Sequence, residues 1–155
     1  MKSWSIVPNY EESPASESLI SINMKLTLEN IELPYIVDID GWYDAVLSEG
    51  KIALFTCECG NFGCGGYYMK VSHSNKSLIL RNRYNPLNKN ELLEELYFEI
   101  EWEDVFWIYT EFVDYIEEIH EKYPQHEICI GTYSDNLVDQ LDKYLGVYDF
   151  LRSKF

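Results

Sequence analysis

The stretch YFEIEWEDVFWIYTEFVDYIEEIHEKYP, from Tyr97 to Pro124, contains the change of hydrophobic period that decides the fold class. Over residues 97–103 apolar and acidic side chains alternate, which indicates a half-buried strand. From Asp104, a residue type that caps helices, apolar residues recur at intervals of three and four, which predicts an amphipathic helix near 104–122. The apolar stripe of that helix consists of Val105, Tyr109, Phe112, Ile116 and Ile119.

The same two patterns predict the other elements. Alternation indicates further strands near 19–29, 51–57, 67–72, 77–83 and 126–132. Helical spacing after Ser134 or Asp135 predicts a last helix near 134–145, and residues 42–48 are predicted to form a short helix. Residues 1–17 are rich in proline, serine and glutamate, and we expect an irregular lead-in. The prediction is one α+β domain over 1–155, in which helices pack on an antiparallel meander sheet.

The charge of the chain restricts its partners. Twelve Lys and Arg oppose 27 Asp and Glu, so the formal net charge of the 155 residues is −15. Residues 91–121 hold twelve carboxylates and neither Lys nor Arg. Because nucleic acids and anionic membranes require a basic patch, we expect binding to neither. The acidic stretch is either a solvated face or a docking surface for a basic protein.

Two observations bear on location. No apolar run approaches the roughly 20 residues of a membrane-spanning helix. The start of the chain, Met1 to Pro8, lacks the basic-then-apolar layout of a signal peptide. We therefore expect a cytoplasmic protein whose thiols stay reduced.

A cysteine- and glycine-rich segment, CECGNFGCGG, runs from Cys57 to Gly66. Cys57 and Cys59 are two apart at a predicted strand end and so share a face, and Cys64 follows across a glycine-rich turn. Three thiolates suit zinc, which requires a fourth ligand. The candidates for that fourth ligand are His73, His120, His126 and Cys129. The alternatives are a tight turn in which small cysteines are buried, and a reactive thiol, which neighbouring carboxylates disfavour.

Catalytic motifs are not found in the sequence. The three histidines are scattered, no serine lies in a Gly-x-Ser-x-Gly element, and no phosphate-binding loop is present. We therefore predict no enzymatic activity and no required cofactor, with zinc kept as the alternative.

The segment from Phe55 to Gly66, followed by a strand pair and the Phe98–Trp102 junction, resembles a family of small bacterial proteins. Members of that family carry a central Cys-x-Cys-Gly-x-x-Gly-Cys element. The similarity covers residues 38–119, about half of the chain. It implies a shared α+β fold, and it implies no catalytic residues because the family has no assigned reaction.

Small acidic proteins without an active site are often inhibitors that occlude a basic toxin or nuclease by complementary charge. Trp107 lies opposite the apolar stripe, and a tryptophan among acids has the composition of an interface anchor. The alternative is that Trp107 packs under the preceding strand. The acids around Trp107 are Glu111, Asp114 and Glu118. We predict a bacterial immunity-type protein that binds a basic partner through these residues. The alternatives are a zinc-stabilised structural or adapter module, and a mimic of nucleic-acid charge that blocks a DNA-binding protein.

Overall fold

The computed structural model describes residues 4–12, 19–33, 36–56, 66–130 and 136–154. The strands are β1 Trp4–Glu12, β2 Leu19–Leu28, β3 Ile31–Glu32, β4 Ile36–Val37, β5 Gly50–Thr56, β6 Tyr67–His73, β7 Ser77–Asn85, β8 Asn88–Glu101 and β9 Glu127–Ile130. The helices are α1 Ile39–Leu47, α2 Trp102–Lys122, α3 Leu141–Leu145 and α4 Tyr148–Arg152, with a 3₁₀ turn at Leu137–Gln140.

The described strands form two sheets. In the first, β2 pairs antiparallel with β1 and β3 and parallel with β9. The second is an antiparallel meander in the order β4-β5-β6-β7-β8. The α+β class and the meander are confirmed. The predicted strands near 19–29 and 126–132 belong to the other sheet, because alternation reports that a strand has one buried face but not which sheet it joins.

One hydrophobic core joins the two sheets and the helices into a single domain. Strand β2 alternates strictly, so that Ile20, Ile22 and Met24 are fully buried on one face. Helix α2 buries its predicted stripe, from Val105 to Ile119, against this core. The periodicity that defined these elements in the sequence is therefore the periodicity of their burial.

The irregular lead-in predicted over 1–17 is wrong for its first part. Residues 4–12 form β1, which pairs with β2 along its whole length, from Trp4 opposite Leu28 to Glu12 opposite Ile20. Pro8 suggested a loop, but β1 lies at the edge of its sheet. An edge strand tolerates proline where the missing N–H would face away from the neighbouring strand.

The change from strand to helix, predicted at Asp104, lies slightly earlier in the structure. Helix α2 begins at Trp102 rather than at Asp104, and the Trp102 backbone N–H donates to the Lys76 carbonyl at 3.1 Å. Strand β8 is longer than the predicted 97–103 because it extends back to Asn88. The first half of β8 is exposed, so buried and exposed residues do not alternate there and the sequence shows no strand pattern.

The C-terminal segment also differs from the prediction. The described part of the predicted 134–145 helix is a 3₁₀ turn followed by α3, and α4 follows without having been predicted. The residues predicted to cap the 134–145 helix, Ser134 and Asp135, lie outside the described residues. Asn136 caps the 3₁₀ turn instead, accepting from the Val138 N–H. Helical spacing in the sequence would direct Leu145 inward with Leu141, but Leu145 is 39% exposed.

Candidate functional site

Helix α2 presents a face to solvent that carries a tryptophan among carboxylates. The acidic face comprises Trp107, Glu111, Asp114 and Glu118. Trp107 is 47% exposed, whereas Trp4, Trp42 and Trp102, the other tryptophans of the chain, are buried. A large apolar ring held at the surface of a helix is a feature that binding residues share.

The members of the acidic face differ in their surroundings. Asp114 and Glu118 are exposed. Glu111 is half-buried and interacts within the chain. The Trp107 ring meets the Phe106 ring edge-to-face, with centroids 5.2 Å apart. The contact with the buried Phe106 ring therefore helps to orient the exposed tryptophan.

Aromatic packing fixes the N-terminal half of α2 on the C-terminal helices. The Phe106 ring also contacts Tyr148 of α4 at 5.6 Å, and the Arg152 guanidinium lies over Phe106 at 5.4 Å. The same guanidinium pairs with Asp149 at 3.8 Å. Arg152 is thus a cation beside the acidic face that is already engaged with a ring and a carboxylate.

A buried hydrogen-bond network joins α2 to α1 through the C-terminal segment. The Tyr109 hydroxyl donates to the Tyr144 carbonyl at 2.9 Å, and the Tyr144 hydroxyl donates to Asp40 Oδ1 at 2.8 Å. Lys143 Nζ lies 3.4 Å from the same carboxylate oxygen. Gln140 Oε1 lies 3.1 Å from the same Tyr144 hydroxyl, whose single proton Asp40 and Gln140 share.

This network keeps its tyrosines neutral. Burial raises the pKa of the Tyr144 hydroxyl far above the value of a free tyrosine, and its hydrogen bond to Asp40 raises it further. Burial likewise raises the pKa of Tyr109, with a smaller contribution from the neighbouring Tyr148. Burial raises the pKa of Asp38, whose carboxylate accepts the Gly41 N–H at 3.0 Å and caps α1. The network positions α1, α2 and the C-terminal segment relative to one another.

The three cysteines predicted to bind zinc, Cys57, Cys59 and Cys64, lie outside the described residues. Within the described ranges, no group of three or more histidine, cysteine or acidic side chains has the arrangement of a metal site.

Of the proposed fourth ligands, His73 lies on β6, His120 on α2 and Cys129 on β9, and His126 immediately precedes β9. His73 Nε2 is 2.7 Å from the Ala45 carbonyl oxygen, and its ring packs edge-to-face on Trp102 at 5.0 Å. His126 packs against the Tyr123 ring at 5.3 Å, and Cys129 is a buried free thiol on β9. His73, His126 and Cys129 therefore each have a structural role of their own.

A cavity of about 180 Å³, which no sequence pattern indicates, lies where β8 passes into α2. Its buried lining includes Leu28 of β2 and Phe98 of β8. Four carboxylates complete it, from Glu29, Glu99, Glu101 and Asp104. Glu29 comes from the β2–β3 turn, which is more than 65 positions from the others in sequence, so only the packing of the two sheets brings the four together.

Comparison with protein-family models, curated proteins and solved structures gives no significant match. The similarity to the cysteine-motif family remains a prediction. None of the described helices combines the length and apolar character needed to cross a lipid bilayer.

Proposed function

We propose that the chain is a non-enzymatic acidic binding protein, of the immunity type, that occludes a basic toxin or nuclease in the cytoplasm. The observation that carries the proposal is the 47% exposure of Trp107 on the acidic face. The hydrophobic effect disfavours leaving a large apolar ring in water. Tryptophan is also among the residues most enriched at the hot spots of protein interfaces.

The surrounding charge supports a basic partner. The acidic face belongs to a stretch, residues 91–121, that contains no Lys or Arg. Carboxylates around an apolar anchor attract a positively charged protein over several ångströms and speed its association. Once the partner covers the Trp107 ring, that contact slows dissociation. The two kinds of residue would therefore contribute to different rate constants.

The first step of the test is to isolate the partner. The tagged chain would be used to purify bound proteins from its own cells, and each basic protein recovered would be reconstituted with the chain from pure components. Binding would be measured by surface plasmon resonance, and the partner's own activity would be assayed with and without the chain. We expect a basic partner whose activity is inhibited at stoichiometric amounts.

Variants then locate the binding surface. We expect Trp107→Ala to raise the dissociation rate, and the double reversal Asp114→Lys with Glu118→Lys to lower the association rate. The matched control reverses Glu32 and Asp142, two exposed acids on other elements, and so makes the same change in net charge. Equal loss of affinity in both double variants, together with an unaffected Trp107→Ala, would contradict the proposal.

A further inference from the structure

Strand β8 is the last strand of the meander, and in the described part of the chain β7 is the strand that pairs with it. It is 14 residues long, and most of its first half is exposed. A long open edge is a site for pairing with another strand, and proteins usually shorten, cover or charge such edges. The edge of β8 is charged with carboxylates, but it is not shortened.

The register shows which backbone groups face the open side. Lys76 and Trp102 lie just beyond β7 and β8 and continue the register of Ser77 opposite Glu101, and the Trp102 N–H donates to the Lys76 carbonyl, so this position is a hydrogen-bonded pair. Because such pairs alternate along an antiparallel ladder, Ile100 and Phe98 also direct their backbone groups toward β7. The N–H and C=O of Tyr97 and Glu99 are therefore directed away from β7, toward the open edge.

The carboxylate-lined cavity lies at the end of this edge. Its buried lining is apolar, at Leu28 and Phe98, and its exposed lining is acidic, at Glu29, Glu99 and Glu101. A lysine or arginine side chain has the matching character, since its methylene stem packs on apolar surface while its cationic group stays near carboxylates and water.

Resting on the proposed function, we propose that the open edge of β8 binds an extended basic segment of the partner protein by strand addition. One lysine or arginine of that segment occupies the cavity. The added strand pairs with the outward backbone groups of Tyr97 and Glu99, and alternate basic side chains lie opposite Glu99 and Glu101. Strand β8 runs directly into α2, the helix that carries the acidic face.

Charge selects this occupant over a second copy of the chain. Residues 91–101 contain five glutamates and no cation. Two copies of this strand side by side would place carboxylates near carboxylates, and like charges directly opposite on neighbouring strands are destabilising. A basic segment converts the same positions into attractive cross-strand pairs.

The direct test uses a defined peptide and needs no identified partner. A capped peptide that alternates four lysines with four valines would be titrated into the ¹⁵N-labelled chain at low salt, where exposed charges are least screened. We expect shift changes in the region of β8 and slowed hydrogen exchange at the Tyr97 and Glu99 amides. A peptide that alternates lysine with glycine has the same charge but low strand propensity, and we expect it to give no slowing of exchange.

A matched pair of variants isolates the backbone contribution. Tyr97→Pro removes an outward N–H, and Tyr97→Ala removes the same side chain but keeps that donor. We expect Tyr97→Pro to bind the lysine–valine peptide roughly 3–10-fold more weakly than Tyr97→Ala, the effect of one lost hydrogen bond. Glu99→Gln should weaken binding by roughly 2–5-fold, while Glu117→Gln on α2 should not change it.

Three results would overturn the inference. The first is shift changes spread over all exposed acids, with unchanged exchange at Tyr97 and Glu99. The second is a dimer in sedimentation experiments that Tyr97→Pro dissociates, because a second copy would then occupy the edge. The third is a purified partner whose binding depends on Trp107 but is equal for Tyr97→Pro and Tyr97→Ala, and that result leaves the proposed function standing. If Tyr97→Pro does not fold, the peptide map of the wild-type chain and Glu99→Gln decide the question.

Discussion

Replacing Gly41 by alanine should destabilise the protein severely, although alanine is the better helix former. Gly41 lies in the first turn of α1, where the helix backbone passes directly over β5. A Cβ atom at this position would lie 1.7 Å from the Ala53 carbonyl oxygen and 2.7 Å from the Ala53 carbonyl carbon. Neither atom belongs to a flexible side chain, so α1 itself would have to move away from the sheet.

The size of the effect follows from that displacement. Carbon–oxygen contacts near 3.5 Å require α1 to retreat by roughly 1.5–2 Å, and gaps of about half that size already forfeit a quarter to a half of a dispersion contact. The buried residues that lose contacts include Trp42 and Val46. We expect a loss of roughly 3–5 kcal/mol, judged against the cost of truncating large core residues. The gain in helix propensity is at most about 1 kcal/mol and does not compensate.

Urea denaturation and thermal unfolding followed by circular dichroism would measure the loss. For a domain of this size we expect the melting temperature to fall by roughly 6–20 °C. The matched control is Gly146→Ala, where the new Cβ would lie 3.4 Å from its nearest neighbour and φ is −63°. That change should be neutral or stabilising by up to about 1 kcal/mol. A Gly41→Ala protein as stable as Gly146→Ala would refute the packing of α1 on β5.

The remaining predictions concern pH, surface charge and metal. The free energy of unfolding should fall above pH 10 by about 1.4 kcal/mol per pH unit for each buried tyrosine of the Tyr109–Tyr144 pair, because only the unfolded state then ionises them. Urea titrations at pH 9 and 11 should show this, and Tyr144→Phe should reduce the slope; an equal slope would contradict the network. Reversal of Asp114 and Glu118 to lysine should change stability by no more than about 1 kcal/mol each, since exposed charges contribute little. Purified protein should contain no stoichiometric zinc and Cys64→Ser should keep its stability, whereas one zinc per chain by elemental analysis would establish the metal alternative.

Elements with a strong period could be predicted from the sequence. Helix α2 and strand β2 each bury one face throughout, so hydrophobic spacing alone locates them and identifies Val105 and Ile20 as core residues. The acidic face follows from the same argument, because a residue opposite a buried stripe is directed to solvent. The exposure of Trp107 agrees with that placement, and its binding role remains a prediction.

Features that depend on tertiary structure could not be predicted in this way. Strand β1 contains Pro8 and was not recognised, because its pairing with β2 rather than its own pattern makes it a strand. The first half of β8 has two exposed sides, so no burial alternates along it. The cavity joins Glu29 with Glu99, residues 70 positions apart, and no local pattern reports such a contact.

Fluorine NMR would test the claim that a basic partner covers Trp107. The chain would be labelled with 5-fluorotryptophan, which gives one resonance for each of its four tryptophans, and Trp107→Phe would assign the exposed one. When the purified partner is added to saturation, we expect the Trp107 resonance to shift and its chemical-shift difference between H₂O and D₂O to disappear. The resonances of Trp4 and Trp42 should not shift. A Trp107 resonance that is unchanged in the saturated complex would contradict the claim.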